Sequence, residues 1–440
     1  MTDALTSLDM STGLQKVAER AKREPAARFN SLAHLIDEEL LAKVLHRLRR
    51  HAAVGVDGIS KEQYGQDLER NLKSLHERLK TKRYRHQPIR RVHIPKESGQ
   101  KTRPIGISTT EDKVVQSALR VVLDAIYEQD FKNCSYGFRP NRNAHGAVRA
   151  LTRAVNWRMA NWILEFDIRS FFDSLDRPKL MKMLQRRVAD GSILRLVGKC
   201  LHVGVLDGQE FSEPSEGTVQ GSTLSPLLGN VYLHHVLDLW FEEEVRPRLK
   251  GKAKFIRYAD DGVFGFELEE DARRVQAVLG KRLQRFGLTL HPDKTRLLDF
   301  RRPPPELTGG RSPTTFDFLG FTWYWRKVRG ERWSLRCKTR RARLARAIRA
   351  IHLWCKEHRH LPVKEQHAAL TRRVQGHINY FGVSGNTRSL RKFMHQVRRR
   401  WFKWLCRRSQ RTRLNWAKFL DLVKVYPLPK VRIVVPIWGC

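Results

Sequence analysis

FIRYADDGVFGFE, residues 255–267, sets two adjacent carboxylates, Asp260 and Asp261, between two apolar, β-prone runs. Gly262 follows at once, and Asp and Gly are residues that tight hairpin turns demand, so the stretch reads as two antiparallel strands with both acids at the tip. Adjacent anions repel, and such a tip needs compensation from a lysine, from water or from a pair of metal ions. A lone Asp-Asp pair is more often a solvated turn, so the rest of the chain has to decide.

A third acid lies upstream. WILEFDIRSFF, residues 162–172, is β-prone, and Asp167 follows its apolar run; Asp173 and Asp176 are further candidates by residue type. An acid ending one strand and two at the tip of a neighbouring hairpin can converge at one edge of an antiparallel sheet. Three such carboxylates can hold two Mg²⁺ ions about 3.5–4 Å apart, the arrangement that drives in-line phosphoryl transfer. Mg²⁺ takes hard oxygen ligands and keeps several waters, so few protein ligands suffice.

At 440 residues the chain can form two or three domains, and 41% hydrophobic content suits a globular protein. The charge is the outlier: 85 Lys+Arg against 45 Asp+Glu give +40. Such self-repulsion excludes an ordinary metabolic enzyme and calls for a polyanionic partner, nucleic acid ahead of an anionic membrane. Residues 321–440 carry 31 Lys+Arg against 4 Asp+Glu and eight of the eleven tryptophans. That composition points to an RNA or single-strand surface, with roughly half the tryptophans in a core. The six cysteines are scattered without a C-x-x-C pair, so free thiols are expected and neither zinc nor disulfides. The absence of a long apolar run or signal peptide argues for a soluble cytoplasmic protein with no membrane contact.

The coarse pattern is mixed. Helices are expected before residue 85, then a basic hairpin in RRVHIPKESGQKTRPIGIS. A helix with the stripe Val115, Leu119, Val122 and Ile126 follows, opened by a Ser108/Glu111 capping box. Ser225-Pro226 opens another, with Leu228, Tyr232, Val236 and Leu239 inward. GLTLHPDKTRLLDF reads as a strand pair and residues 301–315 as a loop. Beyond it, Leu344, Ile348, Ile351 and Cys355 define a helical face.

RYADDG resembles the catalytic box of reverse transcriptases, and SYGFRPNRNAH, GTVQGSTLSPLLGN and FDFLGF occur in that family's order. Over most of its length the chain is similar to proteins encoded by bacterial group II introns, of the type lacking an endonuclease module. The resemblance implies an α+β right-hand polymerase: fingers and a ferredoxin-like palm with an antiparallel sheet, then an α-helical thumb or maturase domain. It implies an N-terminal helical extension over 1–85, fingers and palm over 86–325, thumb over 326–405 and a basic nucleic-acid-binding tail over 406–440.

By the same resemblance, Asp167, Asp260 and Asp261 bind two Mg²⁺ ions (Mn²⁺ as substitute), with the Ile168 carbonyl as an extra ligand and Lys294 as general acid. Lys96 and Arg103 grip the triphosphate, Phe172 stacks under the sugar and excludes a 2′-hydroxyl, and Gln220 with Gly221 flank the nucleotide. Tyr136, Phe138, Arg139, Pro140, Tyr258, Leu319 and Gly320 contact template or primer. Val219 and Gly229 depart from the family's usual proline and alanine. The implied partners are group II intron RNA, an RNA template with DNA primer, target DNA and dNTPs, and a homodimer is open. The alternatives are a free-standing reverse transcriptase without an intron and a splicing-only RNA-binding maturase.

Overall fold

Ser11, Asp37 and Ser60 cap the first three helices, α1 (Thr12–Arg23), α2 (Glu38–Arg47) and α3 (Lys61–Tyr64), each accepting a hydrogen bond from a first-turn N–H. The computed structural model describes residues 11–95, 102–208, 210–212, 216–304, 311–328, 332–409 and 414–437. Helix α4 (Leu68–Lys80) leads into the basic hairpin of β1 (Ile89–Pro95) and β2 (Thr102–Ile107), and then comes α5 (Thr110–Asp130). Its cap is Thr109, which accepts from the Asp112 N–H, one residue beyond the expected Ser108. Glu111 faces Arg78 instead, in a two-pronged ion pair at 2.9 and 2.7 Å. The expected stripe of Val115, Leu119, Val122 and Ile126 is fully buried.

Next come α6 (Ala144–Asn156), β3 (Trp162–Phe166), α7 (Arg177–Gln185), α8 (Gly191–Leu201), the short hairpin β4 (Val205–Asp207)/β5 (Glu210–Ser212), and α9 (Ser225–Leu233). Helix α9 runs on into two π-helical stretches, His234–Asp238 and Trp240–Val245. Leu228, Tyr232 and Val236 are buried as expected, but Leu239 is only half-buried. The wider π turns rotate it off the stripe. The chain continues through β6 (Ala253–Tyr258), β7 (Asp261–Phe266), α10 (Glu269–Gln284) and β8 (Arg296–Asp299).

These strands build a sheet in the order β6-β7-β3-β8. The first strand in the chain lies between the third and the fourth, which is the split βαββαβ arrangement. A second sheet, β2-β1-β4-β5, carries the basic hairpin. Phe255 and Phe264 stack at 4.2 Å in the first sheet, and Phe166 lies 5.3 Å from Phe264. Tyr258 pairs with Asp261 and Arg257 with Gly262, so the hairpin turns on Ala259 and Asp260. Gly262 is therefore a strand residue and not part of the turn. A Cβ there would lie 2.4 Å from Phe166 Cζ, so it is close packing that requires the glycine. GLTLHPDKTRLLDF is not a strand pair: Leu290 makes a single bridge to Ile168, a 3₁₀ turn at Pro292–Lys294 interrupts, and β8 follows. The proline there cannot continue a ladder.

The chain divides into two units, residues 1–144 with 164–297, and residues 145–163 with 298–440. The second holds an antiparallel sheet of β9 (Arg311–Phe318), β10 (Phe321–Lys327) and β11 (Trp333–Thr339), so residues 311–315 are strand and not loop. Helices α11 (Arg341–Glu357), α12 (Val363–Phe381), α13 (Thr387–Leu405) and α14 (Trp416–Val425) share a core that includes Ile351, Cys355, Val374, Ile378, Val397 and Trp401. Of the eight tryptophans here, six (323, 325, 333, 354, 401 and 404) are buried, more than the half expected. Trp438 lies outside the described residues. Indoles build this core and arginines cover it.

Gly262→Ala should lower stability by about 1–3 kcal/mol through overpacking against Phe166. A urea titration should show a lower midpoint at unchanged slope.

Candidate active site

Ala259 has φ +56° and heads a two-residue turn; Asp260 follows with an ordinary φ. A non-glycine residue in that region costs about 1–2 kcal/mol, so something must hold it. Arg257 does. Its guanidinium is fully buried, and all five N–H groups have acceptors. Nε and Nη2 fork onto Asp238 at 2.8 and 2.6 Å, Nη2 also reaches Ser135 Oγ at 2.9 Å, and Nη1 donates to Asn230 Oδ1 at 2.9 Å and to the Ala259 carbonyl at 3.0 Å. Residues 134–136 add in parallel to the edge of β6: the Arg257 N–H donates to Cys134 O and the Tyr136 N–H to Arg257 O, both at 2.8 Å. Gly137 then passes so close that a Cβ would sit 2.3 Å from the Ala259 nitrogen, and Asn230 Nδ2 donates to the Gly137 carbonyl at 2.7 Å. Sequence reading missed Arg257, Asp238, Asn230 and Ser135. The available signal was that Phe255 and Arg257 share one face of β6, and a buried arginine requires an acid.

Asp167 comes directly after β3. Its carbonyl accepts from the His291 N–H at 2.8 Å, and the Arg169 N–H donates to Thr289 O at 2.9 Å. With both flanking residues bonded to that side, the Ile168 backbone groups point the other way. Lys294 Nζ donates to Asp167 Oδ2 at 2.8 Å. Burial pushes the Asp260 carboxyl above its ordinary value and a backbone hydrogen bond opposes this; the Asp167 charge raises it further, while Arg103 and Lys294 pull it back. The structure thus brings Asp167, Arg103 and Lys294 within electrostatic reach of Asp260. Asp261 is exposed at the start of β7. Asp176 caps α7 by accepting from the Lys179 N–H at 2.9 Å. Among the described residues, no three His, Cys, Asp or Glu side chains are drawn into a metal cage. The donor set nevertheless fits a hard divalent cation: carboxylate oxygens, one desolvated and raised by its neighbour, at a point where positive charge would relieve both.

Phe172 is half-buried against Phe171, with ring centroids 5.1 Å apart, and its carbonyl accepts from the Thr218 N–H at 2.7 Å. A Cβ at Gly229 would lie 3.0 Å from Phe171 and 3.3 Å from Phe172, so this glycine gives the two rings their room. Gln220 is half-buried, and its carbonyl accepts from Gly106 at 2.7 Å. Gly221 has φ +114°, and a Cβ would come within 2.5 Å of Gly106 O, so the close approach it permits is to β2. Arg103 is exposed on β2, and Lys96 lies outside the described residues.

Arg139 is a correction. It was expected on the template, but it is buried, forks onto Glu128, and donates through Nη1 to the carbonyls of Lys132 and Ser135. Tyr136 and Pro140 are half-buried, Arg142 lies over the Tyr136 ring, and Phe138 (φ +58°) sits 6.4 Å from Tyr258. In the second unit, Leu319 (φ +51°) and Gly320 (φ +79°) form the turn between β9 and β10. The Tyr380 hydroxyl donates to Leu319 O at 3.0 Å, and the Arg340 N–H to Gly320 O at 2.9 Å.

A split βαββαβ sheet with an acid after its first strand and two more at its central hairpin is the palm of a right-hand polymerase. Residues 94–323, just over half the chain, match the family model described as reverse transcriptase (RNA-dependent DNA polymerase), and the chain belongs to that family. It is 36% identical over 254 residues to protein YkfC of Escherichia coli, covering 56% of this chain and 65% of that protein. It is 32% identical over 243 residues to the group II intron-encoded protein LtrA of Lactococcus lactis, covering 54% and 40%. A nuclear intron maturase of Arabidopsis thaliana is 32% identical over 91 residues, covering 21% and 12%. The chain thus spans less than two thirds of the length of these curated relatives. No described helix is long and apolar enough to cross a membrane.

Arg139→Ala strands Glu128 and should lower stability by about 3–5 kcal/mol, while RNA affinity per folded molecule stays unchanged; urea unfolding and a binding titration measure the two. Asp260 carries a raised carboxyl, so the folded state binds its proton more tightly than the unfolded state does. The ionised group therefore opposes folding above the ordinary carboxylate range, and the penalty fades as pH falls through it. Asp260→Asn should raise the thermal midpoint at neutral pH without divalent ions, and the gain should shrink in acid.

Proposed function

We propose that the protein is the RNA-directed DNA polymerase of a group II intron, which extends a DNA primer on RNA and binds the intron RNA as a maturase. The observation that carries this reading is that Asp167, just after β3, stands close enough to Asp260, in the turn between β6 and β7, for its charge to act on that carboxyl, with Arg103 also in reach and Lys294 bonded to Asp167 at 2.8 Å. Asp167, Asp260 and Asp261 would hold two divalent cations, Mg²⁺ with Mn²⁺ as substitute, with the Ile168 carbonyl as a further ligand. When bound, such cations would supply a lowered pKa for a primer 3′-hydroxyl and charge neutralisation for the triphosphate.

The chain's own residues do the rest. Arg103 and Lys96 grip the phosphates as fork and point charge. Phe172, braced by Phe171 and by the Thr218 N–H, presents a bulky ring where a 2′-hydroxyl would sit, which selects dNTPs. Gln220 and Gly221 border the nucleotide, and Lys294 protonates leaving pyrophosphate once its ammonium parts from Asp167. Tyr136, Phe138, Pro140, Tyr258, Leu319 and Gly320 line template and primer. Fingers and palm would span 86–325 after the helical extension, with the thumb over 326–405 and the tail over 406–440.

The maturase role is supported by the likeness to a group II intron-encoded protein and to a nuclear intron maturase, and by the arginines exposed on α11 and α13, among them 341, 349, 398 and 399. Phosphate contacts from such a surface stabilise a folded RNA without reading its bases. Target DNA is a further partner, and the bacterial cytoplasm, with free buried thiols, is the compartment.

Extension of a DNA primer on an RNA template, with dNTPs and Mg²⁺, tests the reading. Asp260→Ala/Asp261→Ala should reduce it by roughly 10³-fold or more with RNA affinity retained. Wild type that binds RNA tightly but extends nothing would leave a splicing-only binder. RNA affinity should fall by about 10³–10⁵ between 50 and 200 mM salt if six to ten phosphates are contacted, and a flat titration would rule out phosphate-dominated binding.

A further inference from the structure

We infer that Arg257 is a positioning residue for the metal-binding acids, acting through the Ala259 carbonyl, and this rests on the proposed metal site. Arg257 stands at the end of β6, two residues before Ala259 and three before Asp260. Its guanidinium reaches forward past the end of its own strand, and one Nη1 hydrogen closes on the carbonyl of the peptide joining Ala259 to Asp260. That bond fixes the plane of the peptide from which the Asp260 side chain departs, in a turn whose first residue has φ +56°.

The guanidinium cannot pivot. The Asp238 fork sets its plane, and Asn230 and Ser135 fix its rotation from either side. Each anchor comes from a different part of the chain: Asn230 from α9, Asp238 from the π-helical stretch after it, and Ser135 from the segment laid along β6. His234 approaches Asp238 at 3.9 Å, but burial holds its imidazole down to about 2 and hence neutral. The Asp238 carboxylate therefore has Arg257 as its cationic partner among the described residues, and the guanidinium is held in one orientation. Gly137 packs against the same turn, where a Cβ would sit 2.3 Å from the Ala259 nitrogen, and its carbonyl is held by the Asn230 amide that also binds the guanidinium. A ligand carboxylate held by such an outer contact loses affinity for its metal when the contact is removed, although the ligand itself is untouched.

The test uses the full-length protein. Arg257→Lys keeps a cation beside Asp238 but cannot also span to the Ala259 carbonyl. Mn²⁺ binding, followed by electron paramagnetic resonance without nucleotide, should weaken by about 10-fold, and the Mn²⁺ midpoint for primer extension should rise by a similar factor. The KM for primer–template should not move. Ala259→Gly, placed in the Arg257→Lys background, should recover most of the lost affinity, because glycine adopts the turn's φ without help.

Unchanged Mn²⁺ affinity in folded Arg257→Lys would overturn the assignment, as would failure of Ala259→Gly to restore it. If Arg257→Lys does not fold, Asn230→Ser leaves the Asp238 fork intact and should shift Mn²⁺ affinity in the same direction by about 3-fold; no shift would likewise overturn it. Wild-type Mn²⁺ binding that survives Asp260→Ala/Asp261→Ala would instead defeat the metal site itself, and the two failures are distinct.

Discussion

The buried pair of Arg257 and Asp238 is the interaction on which the rest of the candidate site depends. Taking two charges out of water is costly, and it is tolerated only when every remaining donor is satisfied. Here all five guanidinium N–H groups are. The requirement has a geometric consequence, because no single element supplies the acceptors. A helix, its π-helical extension, an added edge segment and the turn itself must each arrive in register. Satisfying one buried cation thereby orders the surroundings of Asp260. Breaking the pair from either side would leave an uncompensated buried charge, which couples the turn to the stability of the sheet beneath it.

The same logic of close approach runs through the loops. Gly137 lies against the turn, Gly217 against the carbonyls of Phe172 and Asp173, and Gly221 against Gly106. At these places backbone meets backbone at a distance that excludes a Cβ. The outcome is that the hairpin of β1 and β2, the 217–221 loop and the Phe172–Asp173 segment are mutually braced before any ligand arrives. Asp260 is left with a raised carboxyl and Asp167 with a lysine, and a cation would relieve the first and replace the second.

In the second unit, the charge and the aromatic content separate by depth. Six tryptophans lie in the interior, and Trp401 Nε1 donates to Gln366 Oε1, which lets a polar indole edge be buried. Arginines on α11 and α13 remain outside. A region that reads in sequence as basic residues interleaved with stacking platforms is, in three dimensions, a basic surface over an indole core.

Local pattern settles what depends on neighbours in the chain. The stripe of α5, the hairpin of β6 and β7 and the opening of α9 at Ser225-Pro226 were all legible, because periodicity and turn chemistry are properties of short segments. The cap at Thr109, the strand at 311–315 and the break at Pro292 fell one step outside that reach, where competing local options are close in energy. Tertiary structure alone decided why Gly262 is glycine, that Arg139 is internal, and that Arg257 holds the turn. Each of those depends on a partner beyond the reach of local pattern: Gly262 on Phe166, Arg139 on Glu128 across the end of α5, and Arg257 on Asp238, Asn230 and Ser135. A sequence states which charges must be buried only once the fold has said which face is inside.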